Sequence, residues 1–146
     1  MKRFFNSILP IGFVILGLGC QSANEKTSIE QLQEQVMIVH DEVMPKDEVL
    51  MTLKEKITQR MDSLSKITPA PADLKSRQEE SIVINQELTD ASTLMYDWMN
   101  QYKTDTLKGM DNAQAKAYLD AQLQKINVVK EKINGGIDQA EKFLAN

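Results

Sequence analysis

Residues 29–71 read IEQLQEQVMIVHDEVMPKDEVLMTLKEKITQRMDSLSKITPAP, and they decide the fold. Alternating steps of three and four pick out Ile29, Leu32, Val36, Val39, Val43, Lys46, Leu50, Leu53, Ile57, Arg60 and Leu64, nine of the eleven being apolar. A stripe with that period is the buried face of a helix packed in coiled-coil fashion. Thr27 followed by Glu30 has the spacing of a capping box, so helix 1 is expected to start there. It should end near Lys66, because the prolines of Thr68-Pro69-Ala70-Pro71 forbid continuation. Pro45 lies inside the stripe and removes the bond that its N–H would give to the Asp41 carbonyl. Since the apolar period runs on across it, one helix kinked at Pro45 is expected rather than two.

Further along, a second stripe takes in Leu74, Arg77, Ser81, Ile84, Leu88, Ala91, Met95, Trp98, Tyr102 and Asp105. Lys108-Gly109 then offers a basic last turn and a left-handed cap, and Asp111 with Gln114 a capping box for the next helix. The third stripe is Leu119, Leu123, Ile126, Lys130, Ile133, Ile137, Ala140 and Leu144, flanked by Val129 and Phe143, with Gly135-Gly136 interrupting its last third. Helices of roughly 39, 37 and 34 residues with short connections imply antiparallel neighbours. The expected fold is all-α, an up-down-up antiparallel three-helix bundle over residues 28–146. Ile82-Val83-Ile84 is the one strand-like run, and it has no partner.

Composition agrees. The chain has 146 residues, 26% charged and 42% hydrophobic but only 5% aromatic, with four Pro and six Gly. That suits one helical domain and excludes a collagenous or low-complexity chain. One His and one Cys leave little for catalysis or a thiolate cage. No phosphate-cradling glycine loop, HExxH or CxxC spacing occurs, and Asp90, Asp97 and Asp105 read as solvated helix surface. The expectation is therefore no enzyme.

The first residues look like an address. Met1-Lys2-Arg3 supplies positive charge, Phe4 to Leu18 is mostly apolar, and Gly19-Cys20 closes the run before polar Gln21 to Lys26. The apolar stretch is short for a membrane span, which needs about 18 or more apolar residues. The arrangement resembles a bacterial lipoprotein signal, with Gly17 where the usual box has Leu and with Leu16 and Leu18 on either side. The resemblance implies a signal peptide over 1–19, acylation of Cys20 and a polar tether over 20–27. Gln21 after the Cys is the outer-membrane pattern of that class, so the domain should face the periplasm. Losing Lys2 and Arg3 takes the net charge from −4 to −6. An acidic domain makes a poor nucleic-acid partner.

With turns centred near residues 69 and 110, His40 falls level with Trp98, and Tyr102 with Tyr118. His40-Asp41-Glu42-Val43-Met44-Pro45-Lys46 and Trp98-Met99-Asn100-Gln101-Tyr102 together resemble a group of small uncharacterised bacterial lipoproteins, often labelled "viral A-type inclusion protein". That resemblance implies a helical fold and an envelope location, and no activity. Met37, His40, Met44 and Met51 lie on one stripe, and Met95 and Met99 approach from helix 2. Thioethers with an imidazole suit Cu(I) or Ag(I), and a His–Met pair can ligate haem. Against this, Met is a common core filler, and His40 beside a kink can serve the carbonyl that Pro45 frees. His40, Asp41 and Glu42 are consecutive and should point to different faces, forming no relay. The main expectation is a structural or protein-binding bundle with a core or interaction cluster of His40, Trp98 and Tyr102. A periplasmic soft-metal or haem protein using His40, Met37, Met44, Met95 and Met99 is the alternative. Whether the stripes close within one chain or in a homo-oligomer is open from the sequence, as is the identity of a protein partner.

Overall fold

The computed structural model describes residues 19–146, with side chains from Ser28 onward. The expected signal segment before Gly19 and the Cys20 side chain lie outside the described residues. Four α-helices follow one another: α1 Gly19–Val43, α2 Lys46–Ser65, α3 Leu74–Gln101 and α4 Asn112–Ala145, with a short 3-10 helix at Thr104–Gly109 before α4. No strand occurs among the described residues, and Ile82-Val83-Ile84 lies inside α3. The chain is an all-α bundle. None of the described helices is long and apolar enough to cross a membrane.

Heptad spacing sets the core. In α3 the buried residues are Ser81, Ile84, Leu88, Ala91, Met95 and Trp98, strictly alternating steps of three and four. The α4 seam is equally regular: Ala115, Leu119, Gln122, Ile126, Val129, Ile133, Gly136, Ala140 and Phe143. From the first two helices come Val36, Val43, Asp47, Leu50, Leu53, Ile57 and Met61. Contacts between helices record the register. Glu42 and Lys46 meet Lys130 and Asn134 at 2.7 Å each, and the Arg60 guanidinium reaches the Leu144 carbonyl at 3.5 Å. Lys54 donates to Thr89 at 2.7 Å, and the Arg77 guanidinium donates to the Phe143 carbonyl at 3.4 Å.

Several expectations change. Helix 1 does not wait for Thr27. α1 already covers 19–27, so the stretch read as a tether is helical, as Gln, Ala, Glu and Lys without Gly or Pro after Gly19 allow. At Met44-Pro45 the helix is interrupted, α1 ending at Val43 and α2 starting at Lys46. Pro45 cannot donate, and the hydrogen bonds step from Met44 N–H to the His40 carbonyl at 2.8 Å to Asp47 N–H on the Met44 carbonyl at 3.2 Å. α3 stops at Gln101 instead of Lys108, because Tyr102 turns extended with ψ 110°. Gly109 sits in the 3-10 turn, and no glycine among the described residues has positive φ, so it is not a left-handed cap. The capping box ahead of α4 forms as expected: Asp111 accepts from Gln114 N–H at 2.8 Å, and Asp111 N–H donates to the Gln114 amide oxygen at 3.1 Å.

In α4 the buried seam is rotated from the predicted one. Val129 and Phe143 are central, while Leu123, Lys130, Ile137 and Leu144 are half-buried flanks. The glycine pair does not interrupt the helix. Gly136 lies in the seam, where a Cβ would come within 3.2 Å of the Leu88 Cδ2, so the missing side chain admits α3 at close range.

Candidate functional site

The centre of the bundle gathers an aromatic column. His40 lies in the last turn of α1, which ends because Pro45 follows. Its ring is 5.5 Å from that of Trp98, tilted by 31°. Trp98 stacks on Tyr102 at 4.9 Å and 13°, and Tyr102 lies over Tyr118 of α4 at 6.3 Å and 11°. Offset stacks of this kind add about 0.5–1.5 kcal/mol per pair beyond simple burial. The end of α3 is shaped to complete the column. Tyr102 N–H still donates to the Trp98 carbonyl at 2.8 Å, and the next amide, Lys103 N–H, donates to the Tyr118 hydroxyl at 3.1 Å. Burial first, and the neighbouring Tyr118 second, push the Tyr102 phenol above the ordinary tyrosine range.

The predicted cluster of His40, Trp98 and Tyr102 is therefore assembled. Two further expectations about His40 need correction. Its Nδ1 lies 2.8 Å from Oδ1 of Asp41, so these consecutive side chains do pair, and the partner is a carboxylate rather than a freed carbonyl. A helical residue's side chain leans back over the preceding turn, but a short Asp beside a ring can still span one residue at a helix end. The column also contains polar atoms with nothing to bond. Trp98 Nε1 and the Tyr102 hydroxyl are buried without a hydrogen-bond partner, as is the Gln122 Oε1 on α4. Beside Trp98, a cleft of about 280 Å³ opens between α3 and α4, lined by Leu94, Asp97, Lys125 and Val128 among others.

The methionines divide. Met95 is fully buried, Met37, Met44 and Met99 are half-buried, and Met51 is 59% exposed. Met44 and Met99 pack against the apolar core. Among the described residues no three His, Cys, Asp or Glu side chains are grouped as a metal cage.

Sequence reasoning missed a second polar knot. Asp47, only 7% exposed in the first turn of α2, accepts hydrogen bonds from the Ser92 hydroxyl and, at 2.8 Å, from the Tyr96 hydroxyl. That bond and the Asp47 charge raise the Tyr96 pKa. Its signal was the step of four from Val43 and of three to Leu50, which puts Asp47 on the seam in place of Lys46. On the opposite side, the bond from Lys130 holds the Glu42 carboxyl below its usual range and ties α1 to α4. No known protein family, curated protein or solved structure matches the chain.

Proposed function

We propose that this chain is a lipoprotein, acylated on Cys20, held on the periplasmic side of an outer membrane, and acting without catalysis as a protein-binding helical bundle. In this reading α1 and α2 form one rod kinked at Pro45, and the rods run up, down and up. Support for the topology comes from the contact register. Partner numbers rise together for Glu42–Lys130, Lys46–Asn134 and Arg60–Leu144, and run oppositely for Asp47–Tyr96 and Lys54–Thr89. Support for the location is the basic, apolar and Cys-terminated sequence up to Cys20.

One observation carries the binding role. The buried Asp47 is spent on joining α2 to α3 through Ser92 and Tyr96, while the outer helix faces keep exposed apolar side chains such as Ile82, Val83 and Val128. Metabolic labelling with a palmitate analogue tests the anchor: the parent chain takes label and fractionates with membranes, and Cys20→Ala does neither. A parent chain that stays unlabelled refutes it. For the binding role, photo-crosslinkers placed at Val83 and Val128 in intact cells should yield one discrete adduct, and no adduct at either position counts against it.

The soft-metal reading keeps one favourable observation. Pairing of Nδ1 with Asp41 leaves Nε2 as the free lone pair of His40, the arrangement that carboxylates impose on metal-bound imidazoles. Half-buried Met37, Met44 and Met99 would supply thioethers. Titration of the chain with Cu(I) against a chelator decides it: binding that vanishes in His40→Ala supports the site, and equal binding by both retires it. The same titration with haem, read by its absorbance, covers the haem variant.

A further inference from the structure

The face of α3 and α4 turned away from α1 and α2 is split by charge. Toward α1 and α2 these helices present Ser92 to Asp47, Thr89 to Lys54, Lys130 to Glu42 and Asn134 to Lys46. The opposite sides line three neighbouring shallow clefts, which meet at Leu94 and Gln139 and together form a groove-like face. On its α3 wall there is no Lys or Arg from Glu80 to Gln101, and the acids are Glu80, Glu87, Asp90 and Asp97. The α4 wall carries Lys125, Lys132 and Lys142, all exposed, against a single acid, Glu131. Among the described residues the side chains of Glu80, Asp97 and these three lysines make no hydrogen bond or ion pair, while the Asp90 side chain accepts from Gln86 at 2.7 Å.

Register makes the two walls match. The contacts Arg77–Phe143, Leu88–Gly136 and Tyr102–Tyr118 have residue numbers totalling 220 to 224. By the same count Asp97 stands level with Lys125, Asp90 with Lys132 and Glu80 with Lys142, and the half-exposed Leu94 with Val128. We propose that this face docks a second copy of the chain about a twofold axis running along the helices. That axis lays α3 of one copy on α4 of the other without changing height, so Asp90 meets the partner's Lys132 and Asp97 the partner's Lys125. Leu94 and Val128 close the layer between those pairs. A twofold axis across the helices would put α3 on α3, acid against acid, and like charges set opposite each other are strongly disfavoured.

The face is also large enough. From Glu80 to Gln101 a helix rises about 33 Å, and two helices side by side are about 20 Å wide. Each copy would bury about 650 Å², a total of about 1,300 Å², which falls within the range of specific interfaces. An isologous contact is the usual form of a homodimer. The pairing names a partner for the proposed binding bundle and does not depend on the lipid: Cys20→Ala chains should still pair, so loss of acylation and loss of pairing are read separately.

Two differently tagged full-length chains, co-expressed and extracted together in mild detergent, test the pairing by co-purification. Parent copies should co-purify. Asp90→Lys with Asp97→Lys sets Lys against Lys at both central levels, and Lys125→Asp with Lys132→Asp sets Asp against Asp there, so each variant paired with itself should drop at least about tenfold. Paired with each other, the two variants should recover, which also shows that both are folded. Val128→Glu, at an exposed position, should lose pairing while its circular dichroism stays that of the parent. The proposal is overturned if parent copies do not co-purify, if the charge-reversed variants self-associate as the parent does, if the opposite variants fail to recover one another, or if Val128→Glu pairs normally.

Discussion

Trp98 is the keystone of the aromatic column, and replacing it separates two opposing contributions. A tryptophan side chain hides about 150–250 Å² when buried, and Trp98 is 5% exposed. At about 25 cal/mol per Å² that burial is worth about 4–6 kcal/mol. Alanine gives up nearly all of it, along with the stacking on Tyr102 and the contact with His40. Against that, alanine also removes the buried Nε1 donor, which has no partner and whose desolvation costs about 1–3 kcal/mol. The net expectation for Trp98→Ala is a loss of about 3 kcal/mol, at the low end of the range for large aromatic truncations. In a domain of this size that lowers the melting temperature by about 10 °C. Phenylalanine keeps a ring on Tyr102 while deleting the same donor, so Trp98→Phe should cost about 1 kcal/mol or less. Thermal and urea unfolding, followed by helical circular dichroism, measure both. Equal losses for Ala and Phe would show that Nε1 is partnered after all. A loss below about 1 kcal/mol for Ala would remove Trp98 from the core and refute the packing described above.

The glycine pair should respond in opposite directions. Gly135→Ala, with nothing within 4 Å of its Cβ position, should gain about 0.5–1 kcal/mol from helix propensity. Gly136→Ala pushes a methyl against the fully buried Leu88, so it should lose about 1 kcal/mol in the same unfolding assay. Asp47→Ala removes the acceptor for Ser92 and Tyr96; unfolding should cost about 1–2 kcal/mol, and ultraviolet titration should show the Tyr96 phenol returning toward the ordinary tyrosine range. Tyr102 has a folded pKa above its unfolded one, so the folded state holds its proton longer. Its contribution is complete below about pH 10 and is lost as pH rises from there through the folded pKa. Tyr102→Phe, which also deletes a buried unpartnered hydroxyl, should be neutral or stabilising at pH 7 and should flatten the alkaline decline in stability.

How far the fold could be read in advance depends on how many apolar tracks each helix offers. In α3 there is one. From Ile84 onward only Leu88, Ala91, Met95 and Trp98 keep a three–four step, and all of them are buried. α4 offers two neighbouring tracks: Leu123 and Ile137 mark one, Val129 and Phe143 the other. Apolar counting favours the first, because the second includes Gln122 and Gly136. Packing chooses the second, since Gly136 lets Leu88 approach where any side chain would hold α3 away. Length failed for a similar reason. Lys108-Gly109 has the composition of a helix end, but the helix had already ended at Gln101, where Tyr102 turns to stack on Trp98 and the Tyr118 hydroxyl accepts the next amide.

The candidate site divides along the same line. Counting from the two turns places His40 beside Trp98 and Tyr102 beside Tyr118, because register follows from helix rise and short connections. The same count says nothing about which polar atoms meet. Asp47 lies on a seam position that periodicity assigns to an apolar residue, and only the hydroxyls of Ser92 and Tyr96 on the facing helix make its burial tolerable. Chain-adjacent His40 and Asp41 pair inside the last turn of α1, a contact that stripe counting along a helix does not consider. Periodicity thus reports which side of a helix leaves water. Identifying the polar residues that go with it requires the facing helix as well, and at Asp47 the facing residues lie more than forty positions along the chain.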